Sequence, residues 1–247
     1  MKLSNINSSN ILANTNFKTS ALLTITLGVI CTVWQPFGSA AEVATIIAPP
    51  VIDVPKTAAN TQTAVIAGGC FWGVQGVFEH VKGVKKVVSG YAGGEKDTAD
   101  YNQVSTGKTG HAESVQITFD PKEVSYGKLL QIYFSVAHDP TKLNRQGPDT
   151  GTQYRSAIFY TDETQKNVAQ AYVNQLNKSK AFSKEIVTRI DPIKTFYPAE
   201  AYHQDFLVHN PTHTYIMIND LPKVENLKTT FPNNYRDKAI LTTGASS

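Results

Sequence analysis

The sequence predicts a two-layer α/β arrangement, a sheet covered by helices. Phe71, Val74, Val77, Phe78 and Val81 recur with a helical period. Glu113 to Phe119 alternates strictly, apolar at odd positions and polar at even ones, as a half-buried strand does. Helical and extended segments then alternate along the chain, with connections too varied for a simple doubly wound sheet.

The elements follow in order. Thr63-Ala64-Val65-Ile66-Ala67 is a short apolar strand, punctuated by Gly68-Gly69. The helix begins at Phe71 and runs to Val81, where Lys82-Gly83 supplies the basic residue and glycine that helix ends favour. Lys85 to Tyr91 is a strand, and Gly93-Gly94 opens a long polar loop. Ser125 to about Ala137 is a helix with Leu129, Leu130, Tyr133 and Val136 on one side, stopped by Asp139-Pro140. Residues 139–153 form a loop, and Tyr154 to Tyr160 a strand. Asp162 to Lys178 is a helix whose Asp162 and Gln165 are spaced as a capping box. Lys184 to Asp191 is a strand. From Phe196 onward the chain reads as mostly extended, apart from a short helix near Leu221 to Thr230.

The first 41 residues carry the marks of an export signal. Lys2 and Lys18 precede any acid, an apolar run spans Ala21 to Val33, and Gly38-Ser39-Ala40-Ala41 is a small-residue cleavage pattern. Residues 42–61, with Pro49-Pro50 and Pro55, read as a flexible linker. Residues 62–236 form the expected folded domain and 237–247 a disordered tail. Cleavage after Ala40 leaves 207 residues with a formal charge of +1, against +3 for the whole chain. So even a balance argues against a nucleic-acid partner and against strong attraction to a membrane. The expected state is an exported, periplasmic monomer.

Cysteine is scarce, 2 in 247 residues, and Cys31 lies in the export segment. That leaves Cys70 without a partner for an internal disulfide. It sits at a strand-to-helix junction, where free N–H groups and the positive end of the helix dipole favour a thiolate. A lowered thiol pKa makes such a cysteine reactive; the bland alternative is a buried structural residue. Glu113 shares parity with Val115, Ile117 and Phe119, so its carboxyl points to the apolar face at the strand's first residue. Desolvation there favours the protonated form, which a general acid needs. A strand starting one residue later would instead leave Glu113 solvated.

Other motifs point elsewhere. Gly107-Lys108-Thr109 resembles the end of a phosphate-binding loop, but Asn102 stands where that motif requires glycine. His209 and His213 lie four apart with Pro211 between them, better read as loop residues than as metal ligands, and no paired-cysteine zinc spacing exists. A thiol hydrolase would need His111, His138 or His203 beside Cys70.

Several blocks together resemble the A-type peptide methionine sulfoxide reductases. They are Gly69-Cys70-Phe71-Trp72-Gly73, Gly90-Tyr91-Ala92-Gly93-Gly94, Tyr101, Thr109-Gly110-His111-Ala112-Glu113, His138-Asp139-Pro140, Arg145 to Ser156 and Ala199-Glu200-Ala201-Tyr202-His203-Gln204. The resemblance runs in order over about Val65 to Tyr235. It implies an α+β class, a two-layer ferredoxin-like core with a mixed sheet, elaborated by extra helices and a long extended C-terminal tail. It implies reduction of the S epimer of methionine sulfoxide, free or in proteins, with no cofactor and no metal. Cys70 would be the nucleophile and Glu113 the acid. Phe71 and Trp72 would form the pocket for the S-methyl group, and Tyr101, Asp149 and Tyr154 would hold the sulfoxide oxygen, directly or through water. Attack on sulfur leaves methionine and a cysteine sulfenic acid, which condenses with a second thiol. Many members carry resolving cysteines near the C-terminus, but Ala199 to Ser247 has none. An external reductant is therefore expected, a thioredoxin-like protein or a small thiol. The non-enzymatic alternative is a protein that binds oxidised methionine without turnover.

Overall fold

A computed structural model describes residues 43–55 and 61–242. In chain order its elements are β1 (Gln62–Ala67), α1 (Phe71–Glu79), β2 (Val84–Ala92), α2 (Tyr101–Val104), β3 (Ala112–Phe119) and α3 (Tyr126–Ile132). Then come β4 (Arg145–Gln146), β5 (Asp149–Thr150), β6 (Ala157–Tyr160), α4 (Glu163–Lys178), β7 (Arg189–Pro192), β8 (Phe196–Pro198), α5 (Phe206–His209) and α6 (Leu221–Thr230). Six strands form one mixed sheet in the order β7-β6-β1-β3-β2-β8, and β4 pairs with β5 separately. All neighbours in the large sheet are antiparallel except β6 and β7.

Strand alternation divides the core. Ala64 and Ile66 of β1 and Val115, Ile117 and Phe119 of β3 join the large cluster with α1, α3 and α4. Val65 and Ala67, of opposite parity, join a small cluster with Ala92, Ala112, Ala157 and Phe159. The expected helix starts hold. Ser125 and Asp162 are side-chain caps, accepting from Lys128 N–H (3.1 Å) and Gln165 N–H (2.9 Å). Gln165 returns its own side chain to the Thr161 N–H, one residue before the cap. α3 passes into a π-helical turn at Tyr133–Ala137, which completes the helix expected to about Ala137.

Five expectations need correction. The strand expected at Lys184 to Asp191 is the shorter β7, and the strand expected from Tyr154 begins at Ala157 after a 3-10 turn at Thr152–Tyr154. The chain beyond Phe196 is not mostly extended. It packs as a 3-10 turn (Ala201–His203), α5, a π-helical turn (Ile216–Asp220) and α6, burying Leu207, Ile216 and Leu227. The disordered tail does not begin at 237: Ile240 N–H donates to the Glu79 carbonyl (3.0 Å) and Thr242 N–H to Asp205 Oδ1 (2.9 Å). Nor are residues 43–55 a free linker. The segment is extended but docked. Ile47 is buried, Gln131 and Tyr172 donate to the carbonyls of Ile47 (2.8 Å) and Ala48 (2.7 Å), and Asp53 accepts from Ser125 Oγ (2.5 Å) and Gly127 N–H (2.7 Å). Its prolines suit an extended strap whose polar groups are satisfied by the helices beneath. The export-signal expectation, 1–41, and residues 56–60 and 243–247 lie outside the described residues.

Candidate active site

The site is built at the N-terminal end of α1. Gly69 adopts φ +86, and a Cβ there would lie 2.6 Å from Gln146 Cβ, so the turn that delivers Cys70 needs glycine. Cys70 is the residue before α1, 8% exposed, and among the described residues it is the only free cysteine. Gly73, one turn into the helix, permits close packing: a Cβ there would lie 2.1 Å from Asp220 Oδ1.

Glu113 is the second residue of β3, opposite Tyr91 of β2, and is 2% exposed on the helix-covered face. Its Oε2 accepts the Phe71 N–H at 3.0 Å, which sets the carboxyl beside the start of α1. Arg155 secures the turn leading into β3 by donating to the carbonyls of His111 (3.0 Å) and Gly110 (2.8 Å). Burial pushes Glu113 up to about 8; the Phe71 bond opposes this, and Asp149 and Asp220 add to it. The carboxyl is therefore protonated at neutral pH.

Cys70 corrects one expectation. Trp72 N–H does favour its thiolate, but burial comes first, and Glu113 once it ionises, with Asp220 and Asp149, raises the thiol further. The thiol is held well above its ordinary range, so the resting cysteine is a protonated thiol. A helix N-terminus contributes a fraction of a charge, which burial and three carboxyl groups outweigh.

The remaining predicted residues converge here. Thr152 Oγ1 donates to the Gly107 carbonyl (2.6 Å) and Gln153 Nε2 to the Ser105 carbonyl (3.0 Å), bringing the Tyr154 turn against the Tyr101 segment. Both phenols are pushed up, by burial first, then by Glu113, and less strongly by Cys70. Asp149 is raised by burial and lowered by a hydrogen bond from Tyr215 and by Lys223. Phe71 is fully buried, its ring 5.1 Å from His203 and 5.9 Å from Tyr91. Trp72 is half-buried, stacked on Phe206 at 3.8 Å with Tyr215 edge-on at 6.0 Å.

Four further site residues, Tyr215, His203 and the buried Asp220–Lys223 pair (3.2 Å), come from the C-terminal segment, and all but His203 had no sequence signal of their own. A glutamine exchange docks that segment: Gln204 Nε2 donates to the Ser89 carbonyl and Ser89 N–H to Gln204 Oε1, each at 2.9 Å. The histidines proposed for a hydrolase are engaged otherwise. His138 bonds the Tyr133 carbonyl (3.2 Å) and Ser156 hydroxyl (2.7 Å), and burial pushes it down to about 3. His111 bonds Gly94 N–H and the Glu95 carbonyl, and His203 Nδ1 accepts the Trp72 indole N–H at 3.1 Å. His213 lies edge-on to Trp72 at 6.3 Å.

A buried thiol facing a neutral carboxyl, with aromatic walls, defines a thiol-dependent enzyme with an acid partner. Residues 62–235 match the profile of the peptide methionine sulfoxide reductase family. The chain is 64% identical over 192 residues to peptide methionine sulfoxide reductase MsrA 2 of Mesorhizobium japonicum, covering 78% of this chain and 98% of that one. It is 54% identical to the MsrA 2 of Synechocystis over 78% and 90% of the two chains. Among solved structures it resembles reduced Mxr1 of Saccharomyces cerevisiae (TM-score 0.56, 33% identity, 64% of this chain and 91% of that one). It also resembles methionine sulfoxide reductase A of Corynebacterium diphtheriae (TM-score 0.54, 31% identity, 72% and 87%). The chain belongs to the peptide methionine sulfoxide reductase family: it is an oxidoreductase that returns methionine sulfoxide to methionine in protein repair.

Proposed function

We propose that Cys70 and Glu113 carry the reaction, on the S epimer of methionine sulfoxide, free or within proteins. The observation that supports this is the protonated Glu113 carboxyl, pinned to the first N–H of the helix that Cys70 precedes. Glu113 gives its proton to the sulfoxide oxygen as Cys70 sulfur attacks the substrate sulfur, and the thiol proton restores Glu113. The balance is one thiol and one sulfoxide giving one sulfenic acid and one thioether. Tyr101, Tyr154 and Asp149 hold the oxygen, directly or through water, and Phe71 and Trp72 receive the S-methyl group.

With no second described cysteine, the sulfenic acid passes to an external thiol, from a thioredoxin-like protein or a small molecule, with loss of water. The antiparallel order β6-β1-β3-β2, with helices α1 and α3 in the connections, supports a ferredoxin-like core. The charge pattern and small-residue site before Glu42 support export to a periplasm, and the enzyme acts as a monomer. The test is turnover of each epimer of a methionine-sulfoxide peptide with dithiothreitol, for wild type and Cys70→Ser. Reduction of the S epimer alone, lost in the variant, is expected. Equal reduction of both epimers, or turnover surviving the substitution, would overturn the assignment.

A further inference from the structure

His203 packs against four aromatic rings at the site, yet the reaction above does not use it. It is 2% exposed and lies 5.1 Å from the ring of Phe71, 4.4 Å from Tyr101 and 4.2 Å from Tyr202. Its Nδ1 is 3.1 Å from Trp72 Nε1. An indole N–H only donates, so Nδ1 must offer a lone pair and the ring proton must sit on Nε2. Nε2 is itself buried without a hydrogen-bond partner among the described residues. A protonated imidazole donates from both nitrogens and accepts from neither, so the bond to Trp72 exists only while His203 is neutral.

We propose that neutral His203 is a positioning residue for Trp72, locking the indole wall of the substrate pocket, and that protonation of His203 unlocks it. The inference rests on the reading of Trp72 as a pocket wall. Burial holds His203 below the ordinary imidazole range, opposed by the Glu200 carboxylate. The other groups around it are the phenols of Tyr101 and Tyr202, with His213 beyond the indole. Glu200 is itself fixed by Tyr91 OH (2.8 Å) and Tyr101 N–H (3.0 Å), so its charge on His203 is a constant of the site. The lock is thus closed at neutral pH and opens on acidification.

Two tryptophans are present, Trp34 and Trp72, so the full chain carrying Trp34→Phe reports on Trp72 alone. Its emission is expected to change with acid, with a midpoint below 6.5, because an imidazolium beside an indole quenches it and cannot accept its N–H. His203→Asn places a non-titrating acceptor near the Nδ1 position and should abolish the transition while keeping KM within about threefold. His203→Phe keeps a ring but no acceptor. It should raise KM for a sulfoxide peptide by about tenfold with kcat nearly unchanged, the size expected for one lost hydrogen bond at a buried donor. An emission transition that survives His203→Asn overturns the assignment, as does an unchanged KM in folded His203→Phe. An unchanged KM in Trp72→Ala instead overturns the reading of Trp72 as a wall. The emission titration still decides whether His203 holds the indole.

Discussion

Helix α1 has a buried carboxyl at each end, Glu113 of β3 beside its start and its own Glu79 at its finish, and the two have opposite fates. At its N-terminal end, Glu113 is pushed up to about 8 and takes a backbone N–H at 3.0 Å beside a thiol. At its C-terminal end, Glu79 is fully buried and pushed up to about 9, by burial first and then by the neighbouring Asp205. Asp205 there accepts from Thr242 N–H, and the backbone of residues 236–240 closes over the helix end. A raised carboxyl pKa thus marks burial. What fits one acid for the proposed proton transfer is the thiol beside it, while the other is buried where the C-terminal residues close over the helix, at the end away from Cys70.

The largest way to break this comparison is to remove the nucleophile. Cys70→Ser should lower kcat/KM by roughly 10⁴ or more, measured with dithiothreitol as reductant, with the folded spectrum unchanged. Glu113→Gln should cost roughly 10² to 10⁴, the range for a lost general acid. In wild type the acid is loaded below its pKa, so activity should fall as pH rises through about 8. The glutamine variant should lack that limb. A limb that persists in it would assign the proton elsewhere.

The buried ion pair behind Gly73 comes next. Lys223→Met strands Asp220 inside the fold and should lower unfolding free energy by about 3–5 kcal/mol, read from the denaturant midpoint. Replacing both partners, with Asp220→Asn added, should recover part of the loss.

Glu79→Gln gives the smallest effect and the sharpest contrast. Between the ordinary carboxyl range and about 9, the folded state keeps a proton on Glu79 that the unfolded state has released. Stability therefore falls as pH rises through that window, by up to about 1.4 kcal/mol per pH unit. The glutamine variant should show a flatter pH dependence in chemical denaturation between pH 6 and 8, with turnover near wild type. A lost turnover would place Glu79 in the chemistry.

What the sequence disclosed follows from the range of the interaction involved. Cys70 was legible because the Gly68-Gly69 turn and the helical spacing are local, and Glu113 because strand parity is local. Tyr101, Asp149 and Tyr154 took their roles only from family resemblance, since each enters on a loop whose path no short-range pattern dictates. Tyr215, His203, Asp220 and Lys223 arrive with the C-terminal segment, held by contacts such as Ser89 to Gln204 across more than a hundred residues. Two misreadings share a cause. Proline-rich 43–55 suggested freedom, and the helix start suggested a thiolate; both neglected what distant parts of the fold place alongside.

The resting state of Cys70 bears on survival. A repair enzyme works where peroxides and other oxidants are abundant, and a standing thiolate would be spent on them before reaching a damaged methionine. At 8% exposure and with its proton retained, Cys70 is a poor target for indiscriminate oxidants. Under the proposed reaction its reactivity is called up by the sulfoxide itself, so the substrate is also the key to the nucleophile that attacks it.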